Sequence, residues 1–341
     1  MQGSFAYRTL NDPATSPPQQ IDLDDGVFLP VSFLSQNGDA HPIIASMGYF
    51  AAVESVLKPL CEKRGWDLKD DKPSCVRVVI GDDAHLDFAL YAIPDEDFEQ
   101  LVEAELAKAI FAQDRQFIVD GFDFSEPVYQ QIPEDHIMLA HRDEGWKPSD
   151  PRKLEDWFRD ALKRHGEQVR RVSRYLKGWR DYHWPECRLS SIALMSCVIT
   201  SYDQISPKIS ESRDDLALLA VAERLPGQLE GRIANPVVEE QFLDEFWTDA
   251  ERTDFVDRAR GLLGRLQDAL SGTDSKAEAV VYMRRAFGER VPNDSSLIHS
   301  DEQADDTRTA ANILTTGLLR DIANRPEPKA AVKREGERRY G

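Results

Sequence analysis

Short apolar or alternating runs, separated by one longer segment with helical spacing, characterise the first hundred residues. GVFLPVSF at Gly26–Phe33, SCVRVVI at Ser74–Ile80 and AHLDFALY at Ala84–Tyr91 are typical of β-strands. Pro42–Arg64 carries apolar residues near helical spacing, and Gly65 follows it as a stop signal. We therefore predict a mixture of strands and helices for this part of the chain.

The second half of the chain has the pattern of a helical domain. Five segments are predicted to be helices: Lys153–Tyr182, Ser190–Ser201, Asp214–Leu225, Glu239–Ser271 and Ser275–Phe287. We place a strand-containing core at residues 1–145, a helical lobe at 146–320 and a flexible tail at 321–341. From Asn324 onward the tail has almost no apolar content, which predicts disorder.

Composition narrows the range of partners. The 341 residues carry a formal net charge of −19, whereas proteins that follow a nucleic-acid backbone usually present a basic surface. We therefore predict that no long nucleic acid is a ligand. No apolar run approaches the roughly 20 residues that span a bilayer, and no signal peptide is recognisable. The four cysteines form neither a C-x-x-C motif nor a Cys/His cluster, so we predict a cytoplasmic protein without membrane association.

A pair of aspartates in IDLDDG is the first candidate for chemistry. Asp22 and Asp24 are two positions apart, so in a strand both side chains point to the same face. Their mutual repulsion would be relieved by Mg²⁺, which takes one or two protein carboxylates plus substrate phosphates. Asp87, in an otherwise apolar strand, is a third acid for the same site. Three such carboxylates can hold two metal ions about 3.5–4 Å apart.

Each of these features also has a purely structural explanation. D-x-D is common in acidic proteins and IDLDDG could be a surface turn, while Asp87 could be a strand-end residue bonded to backbone amides. Gly3-Ser4 at the start of the chain adds weight to the metal hypothesis, because a glycine lets the backbone approach a phosphate closely. A Gly-Ser turn, then D-x-D, then a single strand aspartate is the order found in polymerase-β-like nucleotidyltransferases.

The motifs resemble those of a known family. QGSFAYRTLN, QIDLDDGVFLP and HLDFALYAIP are similar to motifs of the bacterial cGAS/DncV-like nucleotidyltransferases, the cyclic-oligonucleotide synthases of CBASS anti-phage systems. The similarity is closest to the DncV type and continues through SDPRKLEDWF, RYLKGWRDYHW, LSSIALM and TDSKAEAV. It implies an α+β protein, with a polymerase-β-like core of mixed sheet and helices and a helical C-terminal lobe.

The resemblance also implies a reaction and a set of site residues. ATP and GTP would be joined to 3′,3′-cGAMP with release of pyrophosphate, a second messenger read by a separate effector protein. Two Mg²⁺ ions would be held by Asp22, Asp24 and Asp87, with Asp87 helping to activate a ribose hydroxyl. The implied nucleotide-binding residues are Gln2, Gly3, Ser4, Tyr7, Arg77, Ser149, Lys177, Ser191 and Asp274.

Some of these residues have an equally simple structural role. Lys177 could lie on a solvated helix face, and Ser149, Ser191 and Asp274 could cap helices. Family members also carry a substantial region ahead of QGSF, so we expect that the N-terminal part of the core is missing from a chain in which Met1 directly precedes Gln2.

The end of the chain suggests a protein partner. A polar, flexible tail ending in Gly341 suits adenylation and thioester transfer, and some relatives are conjugated through a C-terminal glycine by a ubiquitin-transferase-like operon partner. A terminal glycine can equally arise by chance.

Other function classes remain open at this stage. The chain could be a catalytically impaired nucleotide-binding protein with this fold, or a synthase of a different cyclic di- or trinucleotide. A template-independent enzyme that extends RNA ends is disfavoured by the acidic charge.

Overall fold

The computed structural model describes residues 2–16, 18–36, 39–42, 44–100, 102–103, 132–133 and 136–299. The predicted tail, with Gly341, lies outside these residues. The chain forms two compact units, one of residues up to Arg164 together with 236–239 and one of His165–Asn235 together with residues from Glu240 onward. The helix that follows residue 150 therefore belongs to the first unit, while the proposed division at 145/146 stays a prediction.

The first unit contains eight strands within the described residues: β1 Ile21–Val31, β2 Phe33–Gln36, β3 Asp39–Pro42, β4 Asp67–Lys69, β5 Cys75–Val79, β6 Ala84–Pro94, β7 Met138–His141 and β8 Gly145–Pro148. The first unit also contains the helices α1 Gly3–Ala6, α2 Ser46–Arg64 and α3 Pro151–His165. Residues 95–100 are helical as well. The strands predicted from SCVRVVI and AHLDFALY are thus present. The run Gly26–Phe33 is divided between β1, which already begins at Ile21 and ends at Val31, and β2, which begins at Phe33.

Strand β6 is the centre of the six-stranded sheet. It pairs in parallel with β1 along its whole length and antiparallel with β5 and β7, and β4 and β8 complete the sheet. Strands β2 and β3 form a separate two-stranded sheet. The mixed sheet with flanking helices confirms the predicted fold class.

Helix α2 covers one face of the sheet. Its Tyr49 and Phe50 are buried against Val76, Leu90 and Ala140. The helix ends where the sequence predicted, because Gly65 adopts a left-handed φ of 70° and its N–H caps the last turn. Burial of this apolar face fixes the register of β1, β5 and β6, since a slip of one residue would turn every side chain to the opposite face.

The opposite face of β1 and β6 changes character along the strands. Its later part is apolar: Phe28 stacks on Tyr91, which packs with Ile93, Ile132 and Ile137. Its earlier part carries the charged residues described below. One face of the paired strands β1 and β6 therefore has a polar part, which we call the polar platform (Asp22, Asp24, His85 and Asp87), followed by an apolar part.

The second unit is helical throughout its main elements: α4 Gln168–His183, α5 Ser191–Gln204, α6 Asp214–Glu230, α7 Asp249–Ser271 and α8 Lys276–Phe287. Short 3-10 helices follow at Gly288–Arg290 and Ser295–Leu297. This unit confirms the prediction of a helical C-terminal lobe. Within the described residues, no helix is both long and apolar enough to traverse a bilayer.

Two helix predictions were wrong in their bounds. The helix predicted over Glu239–Ser271 begins only at Asp249, where Thr248 caps it. The segment Lys153–Tyr182 is two helices, α3 and α4, because Gly166 takes a positive φ of 88° and interrupts the helical backbone. A Cβ at Gly166 would lie 1.8 Å from Oε1 of Glu211, so the glycine is also needed for space. The interruption marks the point at which the first unit ends and the second begins.

A buried carboxylate connects α4 to the start of α6. Asp214 accepts hydrogen bonds from Nε and Nη2 of Arg171 at 2.7 and 2.8 Å, and from the hydroxyl of Tyr175 at 2.7 Å. Nε2 of Gln168 donates a further bond at 3.2 Å. Because the Asp214 side chain is fully buried, these donors are what make its burial tolerable, and the cluster is structural.

Candidate active site

Strand register places four polar side chains in a square on one face of the sheet. In the parallel pair of β1 and β6, Asp22 lies opposite His85 and Asp24 lies opposite Asp87. Residues two apart share a face, so Asp22 and Asp24 point to the same side, as do His85 and Asp87. The structure therefore brings together the three aspartates that the sequence singled out, from positions more than sixty residues apart.

Asp87 is held by an arginine on the next strand. Arg77 of β5 lies directly opposite Asp87 and donates from Nε to Oδ1 at 2.7 Å and from Nη2 to Oδ2 at 2.6 Å. This two-pronged contact fixes the plane of a carboxylate that is only 9% exposed. Beside it, burial and the charge of Asp87 raise the pKa of Cys75 to about 12, so that thiol stays neutral.

Asp22 faces a histidine that the sequence analysis did not consider. Nε2 of His85 lies 3.0 Å from Oδ1 of Asp22. Both atoms are buried, and neither makes a hydrogen bond within the described part of the chain. Buried polar atoms without a hydrogen bond are costly and rare, which makes this pair a candidate position for a bound group.

Asp24 lies beneath the N-terminal turn. The N–H of Gln2 donates to the carbonyl oxygen of Asp24 at 2.8 Å, and Gly3 follows with a left-handed φ of 61°. A Cβ at Gly3 would lie 1.9 Å from Oδ2 of Asp24. The Gly-Ser turn thus rests directly on one of the candidate metal ligands, which explains why a glycine is required there.

The electrostatics of the site favour a bound cation. Burial, followed by the charges of Asp22 and Asp87, raises the pKa of Asp24 to about 6, against an ordinary value of 3.8. One ligand atom each from Asp22, His85 and Asp87 all lie within 4.8 Å of one another. A divalent cation would neutralise the clustered carboxylates, bind the Asp22 oxygen that has no hydrogen bond, and favour the ionised form of Asp24. The residues therefore fit a metal ion.

The remaining N-terminal residues surround this platform. The side-chain oxygen of Gln2 accepts a hydrogen bond from the Tyr91 hydroxyl at 3.2 Å, and Ser4 accepts the N–H of Thr9 at its carbonyl. Tyr7 is buried, with its ring 5.5 Å from that of Phe158. Gln2, Gly3 and Ser4 are therefore placed beside Asp24, whereas Tyr7 packs into the core; nucleotide contact by these four residues stays a prediction.

The predicted residues beyond the core have different settings. Ser149 follows β8, and its N–H donates to the carbonyl of Ile137 at 3.2 Å. In the second unit, Lys177 is buried on α4 rather than on a solvated face, Ser191 accepts a hydrogen bond from Arg180 at 3.1 Å, and Asp274 is exposed. Their contact with nucleotides stays a prediction.

The helix caps fall on neighbouring residues. Asp150, not Ser149, accepts the N–H of Arg152 at the start of α3. Ser190, not Ser191, caps α5, and Ser275, not Asp274, caps α8. The capping explanations for Ser149, Ser191 and Asp274 were therefore wrong.

Known proteins resemble this chain over most of its length. Residues 1–91 match the family described as "Cyclic GMP-AMP synthase DncV-like, nucleotidyltransferase domain", and residues 166–300 match "Cyclic GMP-AMP synthase, C-terminal domain". A cyclic GMP-AMP synthase of Vibrio cholerae is 30% identical over 306 residues, which cover 87% of this chain and 68% of that protein. This chain belongs to the DncV-like nucleotidyltransferase family.

Solved structures of DncV agree with this assignment. DncV from Vibrio cholerae in complex with the linear intermediate 5′ pppA(3′,5′)pG has a TM-score of 0.67 and 30% identity, covering 86% of this chain and 70% of that one. An aspartate-to-asparagine variant of the same organism's di-nucleotide cyclase, with ATP, GTP and 5MTHFGLU2, has a TM-score of 0.70 and 29% identity over 88% and 72%. The family and the fold predicted from sequence are confirmed, and the chain is a nucleotidyltransferase.

His85 is the site residue that sequence reasoning missed. Its signal was available in HLD, since a residue two positions before Asp87 shares its strand face. What could not be seen was its partner: only the pairing of β1 with β6 shows that His85 faces Asp22.

Proposed function

We propose that this chain is a cyclic dinucleotide synthase that joins ATP and GTP to 3′,3′-cGAMP with release of pyrophosphate. The observation that carries the proposal is the convergence of Asp22, Asp24 and Asp87 on paired strands beneath a Gly-Ser turn. Relatives named cyclic GMP-AMP synthase and DncV structures with ATP, GTP and a linear intermediate support it.

The cofactor of this proposal is a pair of Mg²⁺ ions. Asp22, Asp24 and Asp87 would hold them together with the substrate's phosphates. When bound, such ions supply charge stabilisation on the phosphoryl oxygens and activate the attacking hydroxyl. One matched DncV structure is of a variant with two aspartates replaced by alanine, consistent with an acidic site in that protein.

The chain's own residues orient the reacting groups. Arg77 fixes the Asp87 carboxylate, which then receives the proton of a ribose hydroxyl as its oxygen attacks the α-phosphorus of the second nucleotide. The bond between the α-phosphorus and the pyrophosphate oxygen breaks. A second transfer of the same kind closes the ring. Gln2, Gly3 and Ser4 are proposed to receive the donor triphosphate beside Asp24.

Product analysis tests the proposal. The full chain would be incubated with all four labelled nucleoside triphosphates and Mg²⁺ or Mn²⁺, treated with phosphatase, and its products identified by mass spectrometry. We expect a phosphatase-resistant cyclic product containing adenosine and guanosine. A different cyclic di- or trinucleotide would correct the substrate choice, and absence of any product would favour the nucleotide-binding alternative. Labelled RNA in a parallel reaction separates out an RNA-extending enzyme.

The cellular setting is proposed from the family resemblance. The product would act in CBASS anti-phage defence in the cytoplasm, where a separate effector senses it, and Gly341 would be conjugated by a ubiquitin-transferase-like partner. Deleting Gly341 is expected to abolish conjugates in cells that carry the partner, with nucleotide incorporation by the purified chain unchanged. Deleting Arg320 instead, upstream in the chain, should preserve conjugation; conjugates that survive loss of Gly341 would reject the role of this residue.

A further inference from the structure

A glutamine fixes the protonation pattern of His85. The side-chain amide of Gln20 donates from Nε2 to the carbonyl oxygens of Gly81 and Asp82, at 3.1 and 3.3 Å. These two bonds set the orientation of the amide, so its oxygen, Oε1, is the atom that faces Nδ1 of His85 at 2.9 Å. Since Oε1 can only accept, Nδ1 must carry the hydrogen.

The other ring nitrogen is then directed at the candidate metal site. In neutral His85 with hydrogen on Nδ1, Nε2 presents a lone pair. That lone pair lies 3.0 Å from Oδ1 of Asp22, another acceptor, and both atoms are buried without a hydrogen bond in the described residues. Two acceptors at this distance repel each other unless a proton or a metal cation lies between them, and because the two atoms do not form a hydrogen bond, we favour the metal cation.

We infer that Nε2 of His85 is a direct ligand of a divalent cation that Asp22 and Asp87 also bind. The inference rests on the proposed function, because it adds a nitrogen ligand to the metal site of that proposal. In an octahedral complex with ligands about 2.1 Å from the metal, adjacent ligand atoms lie about 3.0 Å apart. The observed separation of Nε2 and Oδ1 has this value, and an oxygen of Asp87 lies within 4.8 Å of both atoms.

Gln20 has the role of an outer-shell partner. Metal-bound histidines almost always donate their second ring N–H to a carbonyl or carboxylate, which fixes the tautomer and the ring orientation. Gln20 does this here, and it is itself anchored to the turn between β5 and β6. The ligand is thus preorganised by the backbone of the same sheet that carries Asp87.

A nitrogen ligand changes which metal the site prefers. Mg²⁺ is a hard cation that favours oxygen ligands, whereas an imidazole nitrogen is better suited to divalent transition metals. His85 should therefore make this position bind Mn²⁺ better than Mg²⁺. Replacing His85 by asparagine should reduce Mn²⁺ affinity by about tenfold or more and Mg²⁺ affinity by less.

Pulsed electron paramagnetic resonance on Mn²⁺ bound to the unaltered full chain tests the ligand directly. We expect a ¹⁴N modulation that disappears when the protein is made with ¹⁵N-histidine, and that is absent in His85→Asn. Mn²⁺ and Mg²⁺ affinities would be measured by titration calorimetry. His141→Asn, at the last residue of β7, is the matched control and should retain both the modulation and the affinities.

The outcomes separate this inference from the proposed function. Mn²⁺ that binds through Asp22 and Asp24 but shows no histidine nitrogen would overturn the role of His85 and leave the carboxylate site intact. Mn²⁺ binding that is indifferent to replacement of Asp22 and Asp24 would reject the metal site itself. Because the first measurement uses the unaltered chain, it does not depend on how His85→Asn folds.

Discussion

Replacing Asp22 and Asp24 together by asparagine is expected to reduce nucleotide incorporation by about 10³-fold or more. Each 1.36 kcal/mol of lost transition-state stabilisation costs tenfold in rate, and a bound metal supplies several kcal/mol. Asparagine has nearly the shape of aspartate but lacks its charge, so the strands should pair as before. Single-turnover incorporation of labelled nucleotide measures the loss of activity, and Mn²⁺ titration measures the loss of metal affinity that we expect with it.

The same double variant should be more stable than the original chain when metal is absent. The folded-state pKa of Asp24, about 6, is above its ordinary value of 3.8, so the native state binds more protons between these pH values. Stability therefore falls as pH rises through this window, and at pH 7 the ionised Asp24 destabilises the fold. Allowing for solvent screening, removing this charge should add about 1–2 kcal/mol to the free energy of unfolding at pH 7.

Asp25→Asn is the matched control for this experiment. Strand alternation places Asp25 on the face opposite Asp22 and Asp24, and its side chain accepts the N–H of Gly26. The control should retain both activity and metal affinity. Full incorporation by the Asp22→Asn/Asp24→Asn variant would show that these carboxylates do not hold the catalytic cation.

Gly3→Ala should lower incorporation by about 100-fold, the scale expected when a reacting group is displaced by about 1 Å. The added Cβ would meet Oδ2 of Asp24 at 1.9 Å, and the left-handed φ of 61° disfavours any side chain at this position. Relief requires the Asp24 carboxylate to rotate or the N-terminal turn to lift away. Steady-state incorporation and Mn²⁺ affinity should fall together, and stability should fall by at least the cost of the left-handed strain.

Gly65→Ala separates the clash from the backbone strain. Gly65 has a similar φ of 70°, but a Cβ there would meet nothing within 4 Å. This control should cost about 1–2 kcal/mol of stability and leave the rate unaltered. If Gly3→Ala were as active as Gly65→Ala, close contact between the turn and Asp24 would not matter for the reaction.

Local patterns in the sequence were sufficient for most of the core. Alternation of apolar residues located β5 and β6, Gly65 located the end of α2, and the two-residue spacing of Asp22 and Asp24 placed both on one strand face. These features depend on neighbours in the chain, which a sequence displays directly. The metal-site hypothesis could be stated from them because strand periodicity converts spacing into orientation.

Features that depend on distant partners were missed or misplaced. The opposition of His85 and Asp22 depends on the register of two strands that are far apart in the chain, and no local pattern specifies it. The interruption at Gly166 was overlooked because the apolar periodicity resumes on its far side. Neither the ion-pair cluster of Asp214 nor the burial of Lys177 can be inferred until the packing of α4 is known.

The central position of β6 in the sheet protects this strand from local opening. This strand pairs with β1, β5 and β7, so detaching it requires three ladders of backbone hydrogen bonds to break together. Local opening events in proteins begin at frayed edges and reach such central strands last. Release of the cation or of product therefore need not loosen His85 and Asp87, and each catalytic cycle can begin with these two side chains already in place.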